Sequence, residues 1–493
     1  MTAGRRQCRV WRVQREWGST EVAKAPGEGI RSQLGHPVLD ADGHTLEFGP
    51  LLSDYLREDG VADDLAGVFE GMPIFSTRWR DLSPEERVRT RAYRSVWWWH
   101  PTQNTRDLAT AYLPELLYGR LDELGIDLSI VYPSIGLMFP LVDHDDRRRG
   151  SCHSLNRYHA ELFEPYADRM LPVAVIPMHT PEEAIAELDH AVGELGFRAV
   201  TLAGYVKRDW ANGNVPKNGQ GPAWLDLIGI DSVYDYDPVW RRCAELGVAP
   251  TFHSGSQTLG FRQSNSNYIF NHLGNFAAGA EAICKALFLG GVPRRFPELR
   301  FGFMEGGVGW ATQLYISLVS YWEKRNADAI GHYNPAAVDM DLLTDLFSKF
   351  GTRFAQGAGF DLRQALGIGM TESDEFVDEW AAAEIKTAED IATLFAEPFY
   401  FGCEADDPMV SLAFDTGLEP FGSTLNAMFS SDVSHWDVVD MREILPEAYE
   451  LVEHGRITTA QFERFTYGNA HQFYTAGNPS FFSGTVMEGT TAA

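Results

Sequence analysis

A short apolar run, Val38-Leu39, leads into Asp40-Ala41-Asp42-Gly43-His44, and Glu47 follows three residues later. In extended chain, side chains two apart point the same way, so Asp42 and His44 can grip one ion. Short apolar runs bounded by turn residues suit buried parallel strands, and in such sheets chemistry collects where strands end. Comparable endings recur: His253 closes Gly247-Val248-Ala249-Pro250-Thr251-Phe252, Glu305 follows Leu299–Met304, and Asp432 follows Asn426–Ser431. His435 lies one loop step beyond Asp432. The candidate metal ligands are therefore Asp42, His44, Glu47, His253, Glu305, Asp432 and His435, with Glu305 and Asp432 as the candidate catalytic carboxylates. A lone strand-end histidine is commonly structural, and Asp432 would also serve as a helix cap. Four such endings at one barrel mouth argue for a metal site. His272 and Glu404 are weaker candidates, equally suited to ordinary polar contacts.

These residues need a scaffold that brings distant strand ends together. Strands are predicted at 38–42, 127–133, 171–177, 197–202, 247–253, 299–307, 399–404 and 426–432. Helical spacing fills 113–124, 184–195, 237–246, 275–289 and 309–326, and Thr180-Pro181-Glu182-Glu183 reads as a capping box. Right-handed βα units of this kind close into a (β/α)8 TIM barrel, an α/β fold. The expected organisation is an N-terminal extension over 1–36 and a metal-dependent barrel domain over 37–480. Insertions fall at 48–118, aromatic and irregular, and at 327–395, helical; residues 481–493 form a tail. Residues 205–235 read as a Gly/Asn/Pro-rich loop.

Length allows one barrel with large insertions, or two or three smaller domains, since the chain has 493 residues. A formal net charge of -28 repels nucleic acid and anionic membranes. No apolar run is long enough to span a bilayer, and no apolar stretch follows the arginines of the first fifteen residues, so no signal peptide is expected. The five cysteines, Cys8, Cys152, Cys243, Cys284 and Cys403, show no CxxC spacing. That usage fits a reduced cytoplasm rather than a thiolate metal site.

Taken in order, Asp-Ala-Asp-Gly-His-Thr-Leu-Glu, Tyr-Asp-Pro-Val-Trp with Thr-Phe-His-Ser-Gly, Glu-Gly-Gly-Val-Gly-Trp and Ser-Ser-Asp-Val-Ser-His-Trp-Asp resemble the family-2 amidohydrolase-related TIM barrels. The resemblance covers 36–475, including Tyr-Gly-Asn-Ala-His-Gln-Phe-Tyr at 467–474, and implies the barrel and a metal site. This chain departs from the hydrolytic and decarboxylating members. Asp42-x-His44 stands where they carry His-x-His, and Glu305 stands where their sixth strand offers histidine. No lysine ends the fourth strand, which reads Thr201-Leu202-Ala203-Gly204. Carboxylates mixed with a few imidazoles suit iron or manganese better than a structural zinc. In this respect the pattern is similar to the TIM-barrel nonheme di-iron monooxygenases of platensimycin and platencin biosynthesis, an antibiotic pathway.

That resemblance implies two Fe2+ ions, O2 and an external electron donor, with hydroxylation of an unactivated carbon on a bulky diterpenoid acyl-CoA. The alternative is a mononuclear zinc or manganese hydrolase or decarboxylase, in which a carboxylate acts as base. A barrel that serves only for binding is the third reading. For the substrate, Trp97, Trp98 and Trp99 offer an aromatic wall, or else a lid packed on the core. Arg147, Arg148 and Arg149 offer phosphate contacts, or else a network neutralised by Asp143, Asp145 and Asp146. Whether the chain forms a homo-oligomer is left open.

Overall fold

The computed structural model describes residues 24–70, 79–94, 104–209, 223–256, 259–351, 361–368 and 377–491. Eight strands run in sequential order around one sheet: β1 Leu39–Thr45, β2 Leu128–Pro133, β3 Met170–Ile176, β4 Ala199–Leu202, β5 Pro250–Phe252, β6 Phe301–Phe303, β7 Phe399–Cys403 and β8 Asn426–Phe429. Every paired neighbour is parallel. Apart from a partly exposed Pro172 in β3, these strands are buried along their length, because helices cover the outside and side chains fill the inside. The outer layer includes α1 Asp145–Phe163, α2 Pro181–Leu188, α3 Asp237–Leu246, α4 Asn275–Leu289, α5 Gly309–Arg325 and α6 Ile444–Glu453. This is the expected (β/α)8 barrel. No helix among the described residues is long and apolar enough to cross a membrane.

The seam between β8 and β1 is held by the loop that follows β8. Asp432 N–H donates to the carbonyl of Asp42 at 3.0 Å, and His44 N–H donates to that of Val433 at 2.9 Å. Beneath these bonds Asp40 is fully buried and accepts from Ser129 Oγ at 2.6 Å, Ser431 N at 2.9 Å and Ser431 Oγ at 2.8 Å. One carboxylate thus ties β2 and the β8 loop to β1, and β1 bulges between Asp40 and Gly43 to accommodate it. Gly43 is required there: a Cβ would lie 2.4 Å from Ser129 Oγ and 2.5 Å from Asp40 Oδ2. The bulge aims Asp42 and His44 at the barrel mouth.

Several stretches are more ordered than their sequence suggests. The extension ends in a helix, Pro26–Arg31, whose Gly27 packs against the Leu124 carbonyl and whose Arg31 pairs with Asp127. The first insertion carries short helices at Gly49–Glu58, Pro84–Thr90, Thr105–Tyr112 and Pro114–Tyr118 rather than irregular chain. The 205–235 loop contains an antiparallel ribbon, Val206–Asp209 with Ala223–Asp226. The C-terminal tail does not hang free: Phe481, Phe482 and Met487 are buried with Phe473 and Tyr474 against barrel residues such as Leu39, Ile130 and Met428. At α2, Thr180 accepts from Glu183 N–H as expected, but the reciprocal half of the box is missing because the Glu183 carboxylate is taken by Arg148 at 2.7 Å.

Candidate metal centre

At the carboxyl mouth six of the seven candidate ligands converge. His44 Nε2 lies 3.4 Å from Asp42 Oδ1 and 3.4 Å from Asp432 Oδ1. His253 Nε2 lies 3.0 Å from Glu305 Oε2 and 3.6 Å from Asp42 Oδ2. His435 Nδ1 lies 2.5 Å from Asp432 Oδ1 and 3.9 Å from Glu305 Oε1, and its ring stacks on His44 at 3.7 Å between centroids. Two overlapping donor groups result, one of His44, Glu305, Asp432 and His435, the other of Asp42, His44 and His253. His44 belongs to both. Glu305 and Asp432 reach inward from left-handed backbone, with φ of 57° and 50°. Such conformations cost about 1–3 kcal/mol each, persist only where the surrounding structure over-determines them, and cluster at active sites.

Most of these donor atoms lack a hydrogen-bond partner. Asp42 Oδ1, both ring nitrogens of His44 and of His253, Glu305 Oε2 and both Asp432 oxygens are buried without a hydrogen-bond partner. Burial, above all, pushes the carboxyls of Asp42, Glu305 and Asp432 well above the ordinary range, and repulsion from nearby acids adds to it: Glu305 for Asp42, Asp437 for Glu305, and Glu305 and Asp437 for Asp432. Burial likewise depresses His44 and His253, and takes His435 down to about 4. Three carboxylates reluctant to ionise beside three neutral imidazoles, with orphaned donor atoms, fit a divalent cation: it would neutralise the acids and use the imidazole lone pairs.

Glu47 is not brought to this group. Its carboxylate accepts from the backbone N–H groups of Ser134, Ile135 and Gly136 at 3.2, 2.9 and 3.2 Å, clamping the loop after β2. Burial still raises its carboxyl to about 7. β1 ends at Thr45, so Glu47 falls past the mouth and turns toward β2. Glu47→Ala should therefore lower stability by roughly 2–4 kcal/mol, three donors losing a buried acceptor, while metal content stays at the wild-type level. Denaturant melts alongside metal analysis check both halves; loss of metal at unchanged stability would return Glu47 to the ligand set.

The arginine run is paired with acids rather than turned toward the barrel mouth. It lies in the first turns of α1, where each side chain has its own acid: Arg147 with Glu70 at 3.3 Å, Arg148 with Glu183 at 2.7 Å, and Arg149 with Asp146 at 2.7 Å. Arg148 is 1% exposed and holds α1 to α2. Trp97, Trp98 and Trp99 lie outside the described residues.

Beside Glu305 opens a cavity of 510 Å³, which sequence reasoning missed apart from His272 and Glu404. Its acids are Glu305, Glu404, Asp406, Asp407 and Asp437; its rings are Phe276, His272 and Trp436. Burial, then repulsion from Glu305 and Asp437, pushes the Glu404 carboxyl up to about 8. A Cβ at Gly307 would lie 2.8 Å from Asp407 Oδ2, so glycine keeps this wall open. A separate group, His153, Glu187 and His190, sits on the outer helical layer, with the two rings stacked at 3.8 Å.

The sequence profile of the amidohydrolase family matches residues 100–365, more than half of the chain. Among solved structures, a dihydroxybenzoic acid decarboxylase from Polaromonas sp. JS666, bound to manganese and 2-nitroresorcinol, is 16% identical with a TM-score of 0.48, covering 90% of this chain and 99% of its own. A 2,6-dihydroxybenzoate decarboxylase from Rhizobium is 15% identical at 0.47, covering 89% and 99%. A 5-carboxyvanillate decarboxylase from Sphingomonas paucimobilis is 12% identical at 0.46, also covering 89% and 99%.

Proposed function

Because this chain belongs to the amidohydrolase family, we propose that it is a divalent-metal-dependent enzyme that hydrolyses or decarboxylates a small molecule at the barrel mouth. The observation that carries this reading is the convergence of Asp42, His44, His253, Glu305, Asp432 and His435, with donor atoms of the first five buried and unpartnered. A bound manganese or zinc ion would act as a Lewis acid there, polarising the substrate's reacting oxygen. The protein's own part is proton handling and positioning. Asp432, whose carboxyl is raised by burial, is a competent acceptor for the proton released when water attacks, or a donor to the carbon left by departing CO2. His435 Nδ1 lies 2.5 Å from Asp432 Oδ1, so the two can share one ion. Glu305 and His253, 3.0 Å apart, form the opposite wall.

A second reading, a nonheme di-iron monooxygenase, is favoured by one observation: two overlapping donor groups with three carboxylates offer more ligands than one ion needs. It requires O2 and electrons from outside the chain. An acyl-CoA substrate would have to draw Arg147 and Arg149 away from their exposed acids, while Arg148 is buried against Glu183.

The deciding experiment assays a panel of aryl amides, esters and carboxylates with protein loaded separately with Mn2+, Zn2+ or Fe2+, while dissolved oxygen is followed. Turnover with manganese or zinc and no oxygen uptake is expected, with kcat reduced at least about 100-fold in Asp432→Asn. Oxygen uptake coupled to substrate only in the iron form, with a reductant, would favour the second reading instead.

A further inference from the structure

We propose that His153, Glu187 and His190 form a second metal site, on the outer helical layer, which binds a zinc ion and clamps α1 to α2. This site is independent of the reading of the barrel mouth. His153 lies on α1, Glu187 in the last turn of α2, and His190 three residues further on. Residues three apart on a helix share a face. His190 belongs to a π-helical turn, Asp189–Glu194, that continues α2, and such turns are frequent at functional sites. One donor atom from each of the three side chains lies within 4.8 Å of the other two.

Two histidines beside an acid are often no more than a surface contact. Here the neighbouring bonds hold the acid and one imidazole and leave each a donor atom. The Glu187 side chain is 9% exposed, and its Oε1 accepts from Asn156 Nδ2 at 2.7 Å. Asn156 is fully buried and is anchored on the Val175 backbone of β3, donating to its carbonyl at 3.0 Å and accepting from its N–H at 2.9 Å. Glu187 Oε2 then lies 3.7 Å from His153 Nδ1. That is close to the roughly 3.4 Å between two ligands each about 2.1 Å from a tetrahedral ion. His190 Nδ1 lies 3.1 Å from Glu194 Oε2, while its Nε2 is buried without a hydrogen-bond partner. A histidine that gives one nitrogen to a carboxylate is oriented to offer the other to a metal.

The rings of His153 and His190 stack at 3.8 Å with 21° between their planes, whereas an imidazole lone pair lies in the ring plane. The His153 ring must therefore swing off the stack as the ion enters, and its side chain, 41% exposed, has solvent to swing into. The same open side leaves the fourth position to water. Two imidazoles and one carboxylate with a water make up a known zinc donor set. Such a site prefers zinc to manganese, both by imidazole content and by the general order of divalent affinities.

The test strips the full-length protein with chelator, dialyses it against micromolar free Zn2+ and counts the zinc by elemental analysis. Wild type should hold one equivalent more than His153→Gln or His190→Gln, with manganese content, measured in parallel, at the wild-type level in both variants. The rise in melting temperature that zinc produces should shrink in both, because the clamp between α1 and α2 is lost. His153 is part-exposed, so its replacement tests the site without opening the core. Anomalous scattering at the zinc edge should place the extra equivalent between His153, Glu187 and His190. Equal zinc content in wild type and both variants would overturn the proposal. So would an extra equivalent whose anomalous peak lies away from these three residues.

Discussion

His44→Ala is expected to weaken divalent-metal binding by more than about 100-fold and to abolish turnover, the largest effect of any single substitution at the barrel mouth. His44 is the one residue common to both donor groups, with Nε2 3.4 Å from Asp42 Oδ1 and from Asp432 Oδ1. Its removal strips a lone pair from each group and leaves two buried carboxylates without the imidazole between them. The side chain is fully buried, so a cavity also opens and some stability is lost. His44→Gln, which keeps most of the volume, separates the two effects: it should restore stability without restoring metal. Dialysis followed by elemental analysis, beside a thermal melt, makes the measurement. Full metal content in a folded His44→Ala would mean that the ion, if any, sits elsewhere.

The second large effect is on stability. Removing metal should lower the melting temperature, and the gap between loaded and stripped protein should widen as pH rises from about 5 to about 8. The sign follows from the shifts. Asp42, Glu305 and Asp432 have carboxyls raised well above their ordinary values of 3.8 and 4.5. In stripped protein their contribution is fully present below those values and is lost as pH climbs through the raised folded ones. His44, His253 and His435 are depressed below 6.5, His435 to about 4. Their contribution is present above 6.5 and lost as pH falls through that window. A bound cation requires all six groups deprotonated, so it removes the carboxylate penalty at neutral pH and competes with protons when acid. At a thousandfold excess over Kd the stabilisation is about 4 kcal/mol. Calorimetric scans with and without chelator across this range would reveal it. A gap that stayed constant, or narrowed toward pH 8, would mean that these carboxylates do not take up the ion.

Much of this centre was legible in the chain because strands announce their own ends. Asp42, His44, His253, Glu305 and Asp432 each follow a short buried run, and a parallel barrel leaves few places for such residues except its mouth. His435 was legible by its distance from Asp432. Glu47 misled because a spacing of three from His44 implies proximity only while the strand continues, and β1 stops at Thr45. In the arginine run, Arg148 and Arg149 pair with acids three residues back, Asp145 and Asp146, as helical spacing allows. Asp40 gave no signal at all, since a buried carboxylate satisfied by two serines looks in sequence like any strand polar residue. The cavity drew its acids from loops after β6, β7 and β8, and the buried C-terminal tail its aromatics from a stretch without periodicity. Both arise from tertiary packing alone.

The central claim, that the six convergent residues hold a divalent ion, is most directly tested by anomalous diffraction from crystals of the manganese-loaded protein. The account predicts an anomalous peak bounded by His44, His253, Asp42, Glu305, Asp432 and His435, with ligand distances of roughly 2.0–2.3 Å. A difference map without a peak there, or with its only peak at His153, Glu187 and His190, would contradict it.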